Sequence, residues 1–182
     1  MSAQDPKKEL VEHLPAMRAF ARSLTRDHSA ADDLVQDTVV KAWGNMDKYK
    51  PGTNLKAWLF TILRNTFYSS IRKGKWEVED VDDVMAGRLS VKPEHDGRLA
   101  MEEFRDAFST LPDDQREALI LVGASGFSYE EAAQMCDCAI GTIKSRVNRG
   151  RRKLQELLKL GDDEELSFAD AETLAVLNTP GP

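Results

Sequence analysis

Residues 128–158 constrain the fold more strongly than any other part of the chain, because two helix signals lie there on either side of a short turn. Ser128 is followed three residues later by Glu131, which is the spacing of a capping box at a helix start. Ala132 and Ala133 give this first helix a surface with little bulk, so a second helix can cross it closely. The segment therefore predicts a helix-turn-helix.

The second helix of this motif has one apolar stripe, and its other faces are cationic. Ile140, Ile143 and Val147 recur at helical spacing and are expected to face the first helix and the core. The basic residues, which no acid interrupts before Glu156, are Lys144, Arg146, Arg149, Arg151, Arg152 and Lys153. Such a helix is typical of one that enters the major groove of DNA. A basic amphipathic helix that only keeps the chain soluble or touches a membrane is the alternative, but it leaves the capped partner helix unexplained.

The chain as a whole is acidic, but its charges are segregated. It has 182 residues and a formal net charge of −6, and this length allows two small helical domains. An average charge says little about nucleic acid when acidic and basic segments are separate. No apolar run approaches the roughly 20 residues of a membrane span, and no basic, apolar leader opens the chain, so we expect a cytoplasmic protein without membrane contact.

The sequence offers no constellation for catalysis. Cys136 and Cys138 lie far from the three histidines, so packing explains these cysteines better than a metal or redox site does. There is no Ser/His/Asp or Cys/His arrangement and no glycine-rich phosphate loop. We expect no enzyme activity, no catalytic residue, no small-molecule substrate, no cofactor and no metal.

The first part of the chain predicts helices with one distinctive polar face. Apolar residues recur at helical spacing from Leu10 to Leu24, and Pro15 divides a short lead-in from a second helix. A further helix is predicted over residues 30–44, with a core side formed by Val35, Val39, Ala42 and Trp43. Its opposite side carries Asp33, Gln36, Asp37 and Val40. Composition alone favours an ordinary solvated helix side there.

A long helix is predicted after a cap at Thr53 or Asn54. Its core stripe consists of Leu55, Trp58, Leu59 and Ile62. No acid occurs between Leu63 and Lys75, and basic residues alternate there with Phe67, Tyr68 and small polar side chains. Cations that follow phosphates and rings that stack on unpaired bases suit single-stranded nucleic acid. Phe67 taken alone fits a core position equally well.

The remaining segments complete two domains. The charge changes sign abruptly after Trp76, and residues 77–97 lack periodicity, which predicts an extended acidic linker. Helices are expected over residues 98–110 and from Pro112 to Val122. An acidic tail follows, which is better explained as a solvated segment than as a cover over the basic helix. We predict an all-α protein with domains at 1–76 and 98–160, a linker at 77–97 and a tail at 161–182.

Taken in order, these segments resemble an extracytoplasmic-function, or group 4, sigma factor of the sigma-70 family over about residues 10–158. DDLVQDTVVKAW resembles the region 2 helix that docks on the clamp coiled coil of RNA polymerase, and NLKAWLFTILRN resembles the −10 recognition segment. LPDDQREALIL and GFSYEEAAQMCDCAIGTIKSRVNRGRRKL resemble region 4. The LPAMRAFARSL opening and the acidic extension are most similar to the EcfG-like general-stress-response group.

The resemblance implies three sets of site residues. The polymerase-binding set is Asp33, Gln36, Asp37 and Val40. The set that binds the −10 element is Arg64, Asn65, Phe67, Tyr68, Arg72 and Lys73. The set that binds the −35 element is Thr142, Lys144, Ser145, Arg146, Asn148, Arg149 and Arg151.

The resemblance also implies a function: an alternative sigma factor that binds the clamp and flap of core RNA polymerase, recognises both promoter elements and initiates transcription of stress-response genes. A NepR-type anti-sigma factor is a further expected partner. Two alternatives stay open, a sigma-like decoy that sequesters an anti-sigma factor and a conventional dimeric helix-turn-helix regulator. The decoy is disfavoured by the presence of Asn65, Lys144, Arg146 and Arg149. The dimeric regulator has no use for the acidic face over residues 33–40 or for the basic, aromatic segment after Asn65.

Overall fold

The computed structural model describes residues 6–74 and 97–159, which contain helices and no strand. This result confirms the predicted all-α fold class. The predicted acidic tail lies outside the described residues, and so does the predicted linker except for Gly97. The proposed domain boundaries therefore stay a prediction.

An N-terminal module is built from four α-helices. They are α1 (Pro6–Glu12), α2 (Leu14–Thr25), α3 (His28–Gly44) and α4 (Leu55–Arg72), with a 3-10 turn at Met46–Lys48 between the last two. Pro15 lies in the first turn of α2, as predicted. Asp27 caps α3 by accepting a hydrogen bond from the Ala30 N–H, so α3 begins two residues earlier than expected. Asn54 caps α4 in the same way through the Ala57 N–H.

A C-terminal module contains the predicted helix-turn-helix. Its elements are α5 (Gly97–Ser109), α6 (Asp113–Leu119), a π-helical turn (Ile120–Ala124), α7 (Tyr129–Cys136) and α8 (Ile140–Leu158). Ser128 and Glu131 form both hydrogen bonds of the capping box at the start of α7. Asp137 ends that helix in the left-handed conformation, with a φ of 50°.

The buried apolar residues form one core cluster that runs through both modules. In the N-terminal module the rings of Phe20 and Phe60 stack with centroids 5.1 Å apart, and Leu34 and Leu59 are fully buried beside them. In the C-terminal module α8 packs against α6 and α7. Gly150 permits this approach, because a Cβ atom there would lie 2.7 Å from Leu119 Cδ1.

Two residues predicted to lie in the core are instead at the surface. Trp43 is 55% exposed, because the fully buried Ala42 takes the core-facing position and the next residue is turned by about 100° around the helix axis. Ile140 is 41% exposed, since it is the first residue of α8 and precedes the turn that meets the core. Ile143 and Val147, which follow it in the stripe, are buried as predicted.

The two modules pack against each other, with α4 against α7 and α2 against α6. The Phe127 ring meets the Phe60 ring edge-on, with centroids 5.0 Å apart. Lys56 Nζ lies over both rings and donates a hydrogen bond to the Ser125 carbonyl. As a result, the sides of α2, α4 and α6 that meet at this boundary face protein rather than solvent.

Candidate nucleic-acid interface

The recognition helix α8 is held by its buried stripe and displays its predicted DNA-binding residues on the remaining faces. Ile143 and Val147 anchor it, at 0% and 1% exposure. Lys144, Asn148 and Arg149 are exposed, while Thr142, Ser145, Arg146 and Arg151 are half-buried. The exposed residues suit contact with the edges of bases and with phosphates in a major groove.

Lys144 and Arg146 of α8 have partners on other helices of the C-terminal module. Lys144 Nζ lies 5.7 Å from the centroid of the Tyr129 ring at the start of α7. Arg146 Nε lies 3.1 Å from Asp114 Oδ2 on α6. Arg146 thus approaches an acid of its own module, whereas the neighbouring Arg149 points to solvent.

A second cationic surface is a cleft of about 640 Å³ in the N-terminal module. It lies where the end of α3, the 3-10 turn and one face of α4 meet. Its lining consists of Lys41, Asn45, Lys48, Trp58, Ile62, Asn65, Thr66, Ser69 and Arg72. Of the predicted −10 residues, the cleft therefore brings together Asn65 and Arg72.

The chemistry of this cleft suits an unpaired nucleotide strand. Three cations can follow phosphates, Asn45 and Asn65 can hydrogen-bond to base edges, and the Trp58 ring offers a stacking surface. Trp58 is itself supported by Tyr49, with ring centroids 5.4 Å apart. Lys41 Nζ donates to Thr66 Oγ1 over 3.1 Å, which fixes the ammonium group at the cleft wall.

Several lining residues were not among the predicted site residues. Helical periodicity predicts Trp58 and Ile62 in the core stripe, and in the structure both are half-buried because one side packs inward and the other faces the cleft. The sequence does contain a pattern that predicts the α4 side of the cleft, since residues 58, 62, 65, 69 and 72 share one helical face. Lys41, Asn45 and Lys48 come from a different segment, and no local pattern connects them with α4.

Three other predicted −10 residues face away from the cleft in this structure. Phe67 is 4% exposed and belongs to the core. Arg64 and Tyr68 lie on the side of α4 that meets the C-terminal module. Lys73 is exposed at the C-terminal end of α4.

Arg64 and Tyr68 share one buried partner, Glu117 of α6. Arg64 Nε donates to Glu117 Oε1 over 2.8 Å, and the Tyr68 hydroxyl donates to Oε2 over 3.3 Å. The guanidinium group also lies 4.6 Å from the centroid of the Tyr68 ring. Burial raises the pKa of the Glu117 carboxyl group above its ordinary value, and Arg64 opposes that shift.

The predicted polymerase-binding residues share one face of α3. Asp33 and Gln36 are exposed, Asp37 is half-buried and Val40 is 71% exposed. Trp43 lies three residues after Val40 and extends the same face. Although Trp43 was predicted to lie in the core, it therefore forms part of this surface. Exposed apolar side chains that acids flank are typical of a surface that binds another protein.

The described part of the chain offers no cluster of side chains that could hold a metal ion, and one of its two cysteines is buried. Within residues 6–74 and 97–159, no group of three His, Cys, Asp or Glu side chains is placed to hold a metal ion. Cys136 is buried, and burial raises the pKa of its thiol to about 12. No helix in the same two ranges is long and apolar enough to cross a membrane.

Comparisons with known proteins identify both modules. The sequence matches sigma-70 region 2 over residues 10–77 and sigma-70 region 4 over residues 101–154, which together make up more than half of the chain. It is 55% identical over 164 residues to the ECF RNA polymerase sigma factor EcfG of Rhodopseudomonas palustris (strain TIE-1), covering 90% of this chain and 91% of that relative. The chain belongs to the sigma-70 family and is of the extracytoplasmic-function type.

Solved structures agree with this assignment. The sigma factor RpoE from Bartonella quintana, in a co-crystal structure with the anti-sigma factor NepR, is 57% identical with a TM-score of 0.69. The match covers 87% of this chain and 98% of that one. A chain in the PhyRSL–NepR complex from Sphingomonas sp. Fr1 has a TM-score of 0.64 but 18% identity, covering 89% of this chain and 95% of that one. The second likeness shows a shared fold alone.

Proposed function

We propose that this sigma factor binds core RNA polymerase through α3, holds the −10 strand in the cleft beside α4 and contacts the −35 element through α8. The observation that supports this most directly is the pair of separate cationic surfaces. One is a cleft with an aromatic wall, suited to an unpaired strand, and the other is an exposed helix face, suited to a duplex.

The polymerase supplies the affinity that the free chain lacks. Its net charge of −6 opposes binding to DNA over a distance, and each basic surface is small. The exposed face formed by Asp33, Gln36, Val40 and Trp43 offers a docking surface for the polymerase clamp. Region 4 then contacts the flap, which keeps the two DNA-binding surfaces at the spacing of the promoter elements.

A NepR-type anti-sigma factor is the second proposed partner, and stress-response genes are the proposed targets. The support is the 55% identity to EcfG and the likeness to RpoE, which was crystallised with NepR. The protein acts as a transcription factor rather than an enzyme, and it acts in the cytoplasm, where polymerase and chromosome are found.

Run-off transcription tests the proposal. Core polymerase is given a promoter library with and without this chain, and we expect promoter-dependent transcripts only when the chain is present. No such product under any condition would refute the sigma-factor assignment for this chain.

The docking face is tested separately, by co-purification with core polymerase. Asp33→Arg should abolish core binding, measured by co-purification, while leaving the helical content unchanged. Asp106→Arg makes the same charge reversal at an exposed position of α5 and is the matched control. Equal core binding by the two variants would contradict the role of α3.

The decoy remains the second candidate, because the PhyRSL complex shares the fold. A decoy would bind NepR and yet give no transcript with any promoter. The exposed positions of Asn65 and Arg149 favour the sigma factor, since a decoy has no need of DNA contacts.

A further inference from the structure

The cleft beside α4 is held in shape by hydrogen bonds between the segments that form it. Lys41 Nζ of α3 donates to Thr66 Oγ1 of α4 over 3.1 Å. Lys48 Nζ of the 3-10 turn donates to Asn45 Oδ1 at the end of α3 over 2.6 Å. The Asn45 amide in turn donates to the Lys41 carbonyl over 2.8 Å. All four residues line the cleft, so each is placed to contact a bound strand directly.

Tyr49, which follows the 3-10 turn, adds a connection of the same kind but does not line the cleft. It is 8% exposed, and its hydroxyl donates to the Thr53 carbonyl over 2.7 Å. Asn54, the next residue, is the N-cap of α4, so this hydrogen bond ties the start of α4 to the turn. A buried ring has no free face for a base to stack on. Any effect of Tyr49 on a strand must therefore act through its neighbours.

The ring of Tyr49 packs against the ring that forms the aromatic wall of the cleft. The centroids of the Tyr49 and Trp58 rings lie 5.4 Å apart, and the ring planes are tilted by 46°. The Trp58 N–H donates to the Asn54 carbonyl over 3.1 Å, in the first turn of α4. Tyr49 thus acts on Trp58 in two ways, because its ring limits the rotation of the indole and its hydroxyl fixes the start of the helix that carries it.

The segment that accepts the Tyr49 hydrogen bond is itself fixed. The N–H and Oγ1 of Thr53 both donate to the Lys50 carbonyl, over 3.2 and 2.7 Å respectively. Gly52 has a positive φ of 85°, which a residue with a side chain rarely adopts. The Thr53 carbonyl therefore has a defined position, and the Tyr49 hydroxyl meets an acceptor that is already in place.

A stacking surface that is in place before binding gives more affinity than one that must first be ordered. Ordering a mobile side chain on binding costs conformational entropy, whereas a side chain held by its neighbours has lost that freedom on folding. Stacking of a base on an aromatic ring is a main source of affinity for an unpaired strand. The residue that holds such a ring therefore influences strand binding without touching the strand.

We propose that Tyr49 is a positioning residue for strand capture, which keeps the Trp58 ring in the orientation that stacks on an unpaired base before the strand arrives. This inference rests on the proposed function, because it concerns how the same cleft holds the −10 strand. Tyr49 contacts no nucleotide, and its contribution depends on the presence of Trp58.

Two substitutions at position 49 measure this contribution in run-off transcription with core polymerase. Tyr49→Leu removes the ring and the hydroxyl but leaves an apolar side chain in the buried position. Initiation should fall about three- to tenfold, because the Trp58 ring must then be ordered when the strand binds. Tyr49→Phe keeps the ring and loses only the hydrogen bond to Thr53, so initiation should fall only about twofold. Phe108→Leu also exchanges a buried ring for leucine, but in the C-terminal module, and as the matched control it should initiate at the wild-type level.

A double-mutant cycle separates positioning from a purely structural role. Adding Tyr49→Leu to Trp58→Ala should cause no further loss of initiation, because no ring is left to position. A general loss of stability would lower initiation whether or not Trp58 is present. The motion of the indole is measured by the steady-state fluorescence anisotropy of Trp58 in a chain whose other two tryptophans, Trp43 and Trp76, are replaced by phenylalanine. Tyr49→Leu should lower this anisotropy.

Initiation at the wild-type level by a folded Tyr49→Leu variant would overturn the positioning role, and so would an equal fall with and without Trp58. If Tyr49→Leu does not fold, Tyr49→Phe is tested instead, and unchanged initiation together with unchanged Trp58 anisotropy there would overturn the role. Absence of transcripts with the wild type contradicts the proposed function. Normal wild-type transcripts without an effect of Tyr49 contradict the positioning role alone.

Discussion

The two proposed DNA-binding surfaces are built in different ways. The face of α8 comes from one uninterrupted helix, whose position is set by the buried Ile143 and Val147. The cleft comes from three segments, namely the end of α3, the 3-10 turn and one side of α4. A duplex presents a regular groove that a single helix fits, whereas an unpaired strand needs a concave surface with a stacking wall.

This difference has a consequence for how each surface responds to mutation. Exposed side chains of α8 such as Arg149 project into solvent, so removing one leaves the buried stripe that positions the helix intact. Cleft residues support one another, as Tyr49 supports Trp58 and Lys41 bonds to Thr66. We therefore expect single substitutions to have larger effects in the cleft than on α8.

The largest effect is expected for Trp58→Ala. Removing the ring takes away the stacking wall, and stacking of one base on an aromatic side chain contributes about 1–3 kcal/mol. Initiation from a promoter selected in the run-off library should fall about 10- to 100-fold. Trp58→Phe keeps a ring and should retain most activity.

Trp58 also packs inward, so urea denaturation of both variants must accompany the transcription assay. If Trp58→Ala folds stably and initiates as well as the wild type, the cleft is not the site of strand capture. The proposed division between a cleft for the unpaired strand and a helix face for the duplex would then be wrong.

Arg149→Ala on α8 is expected to match this effect only if the arginine reads a base, and to have a smaller effect if it holds a phosphate. The side chain is exposed and contacts one position of the duplex, so its loss should weaken −35-dependent initiation by about 1–3 kcal/mol if it reads a base, and by less if it holds a phosphate. Arg152→Ala, at another exposed position of α8, is the comparison. The slope of log affinity against log salt distinguishes the two cases, because loss of a phosphate contact lowers its magnitude by about 1. Full activity on every −35 variant would exclude Arg149 from the interface.

Sequence patterns predict a surface well when its residues are close together in the chain. The capping box at Ser128 and Glu131, the turn at Asp137 and the cationic face of α8 all follow from local spacing, and the structure contains these helices and this cap. The errors are also local in origin. Trp43 and Ile140 are apolar residues at the edge of a stripe, and hydrophobic periodicity alone does not define where a core ends.

Patterns fail where distant segments meet. Lys41 and Ser69 line one cleft although 28 positions separate them, and Arg64 meets Glu117 across 53 positions. A single sequence carries no spacing rule for such contacts. Arg64 and Tyr68 were assigned to the DNA surface because they lie in a basic, aromatic run, and that same run supplies the cation and hydroxyl that meet α6.

The close packing of α8 against α6 gives a third prediction, which concerns stability rather than DNA contact. Gly150→Ala should destabilise the protein by about 1–2 kcal/mol, because its Cβ would approach Leu119 Cδ1 to 2.7 Å in a fully packed site, and this outweighs the helix propensity gained. Gly141→Ala in the same helix has no atom within 4 Å of the added Cβ and should stabilise by about 0.5–1 kcal/mol. Urea denaturation measures both, and equal stability of the two variants would show that the approach of α8 to α6 does not depend on Gly150.

The smallest effect concerns the boundary between the two surfaces and depends on pH. Burial raises the pKa of Glu117 in the folded protein above its ordinary value of 4.5. A raised folded-state pKa contributes stability that is fully present below the unfolded pKa and is lost as the pH rises through the folded pKa. The free energy of unfolding of the wild type should therefore fall relative to Glu117→Gln as the pH rises through that window.

One group contributes a slope of at most about 1.4 kcal/mol per pH unit, and urea denaturation at several pH values between 4 and 7 resolves it as a difference between the two proteins. Glu103→Gln, at an exposed position, should show no such difference from the wild type. A slope of the opposite sign would mean that the attraction of Arg64 outweighs the burial of Glu117. The ionised pair would then hold the two modules together more firmly as the pH rises. The sign of this slope therefore determines whether the N-terminal and C-terminal modules separate more easily in acid or at neutral pH.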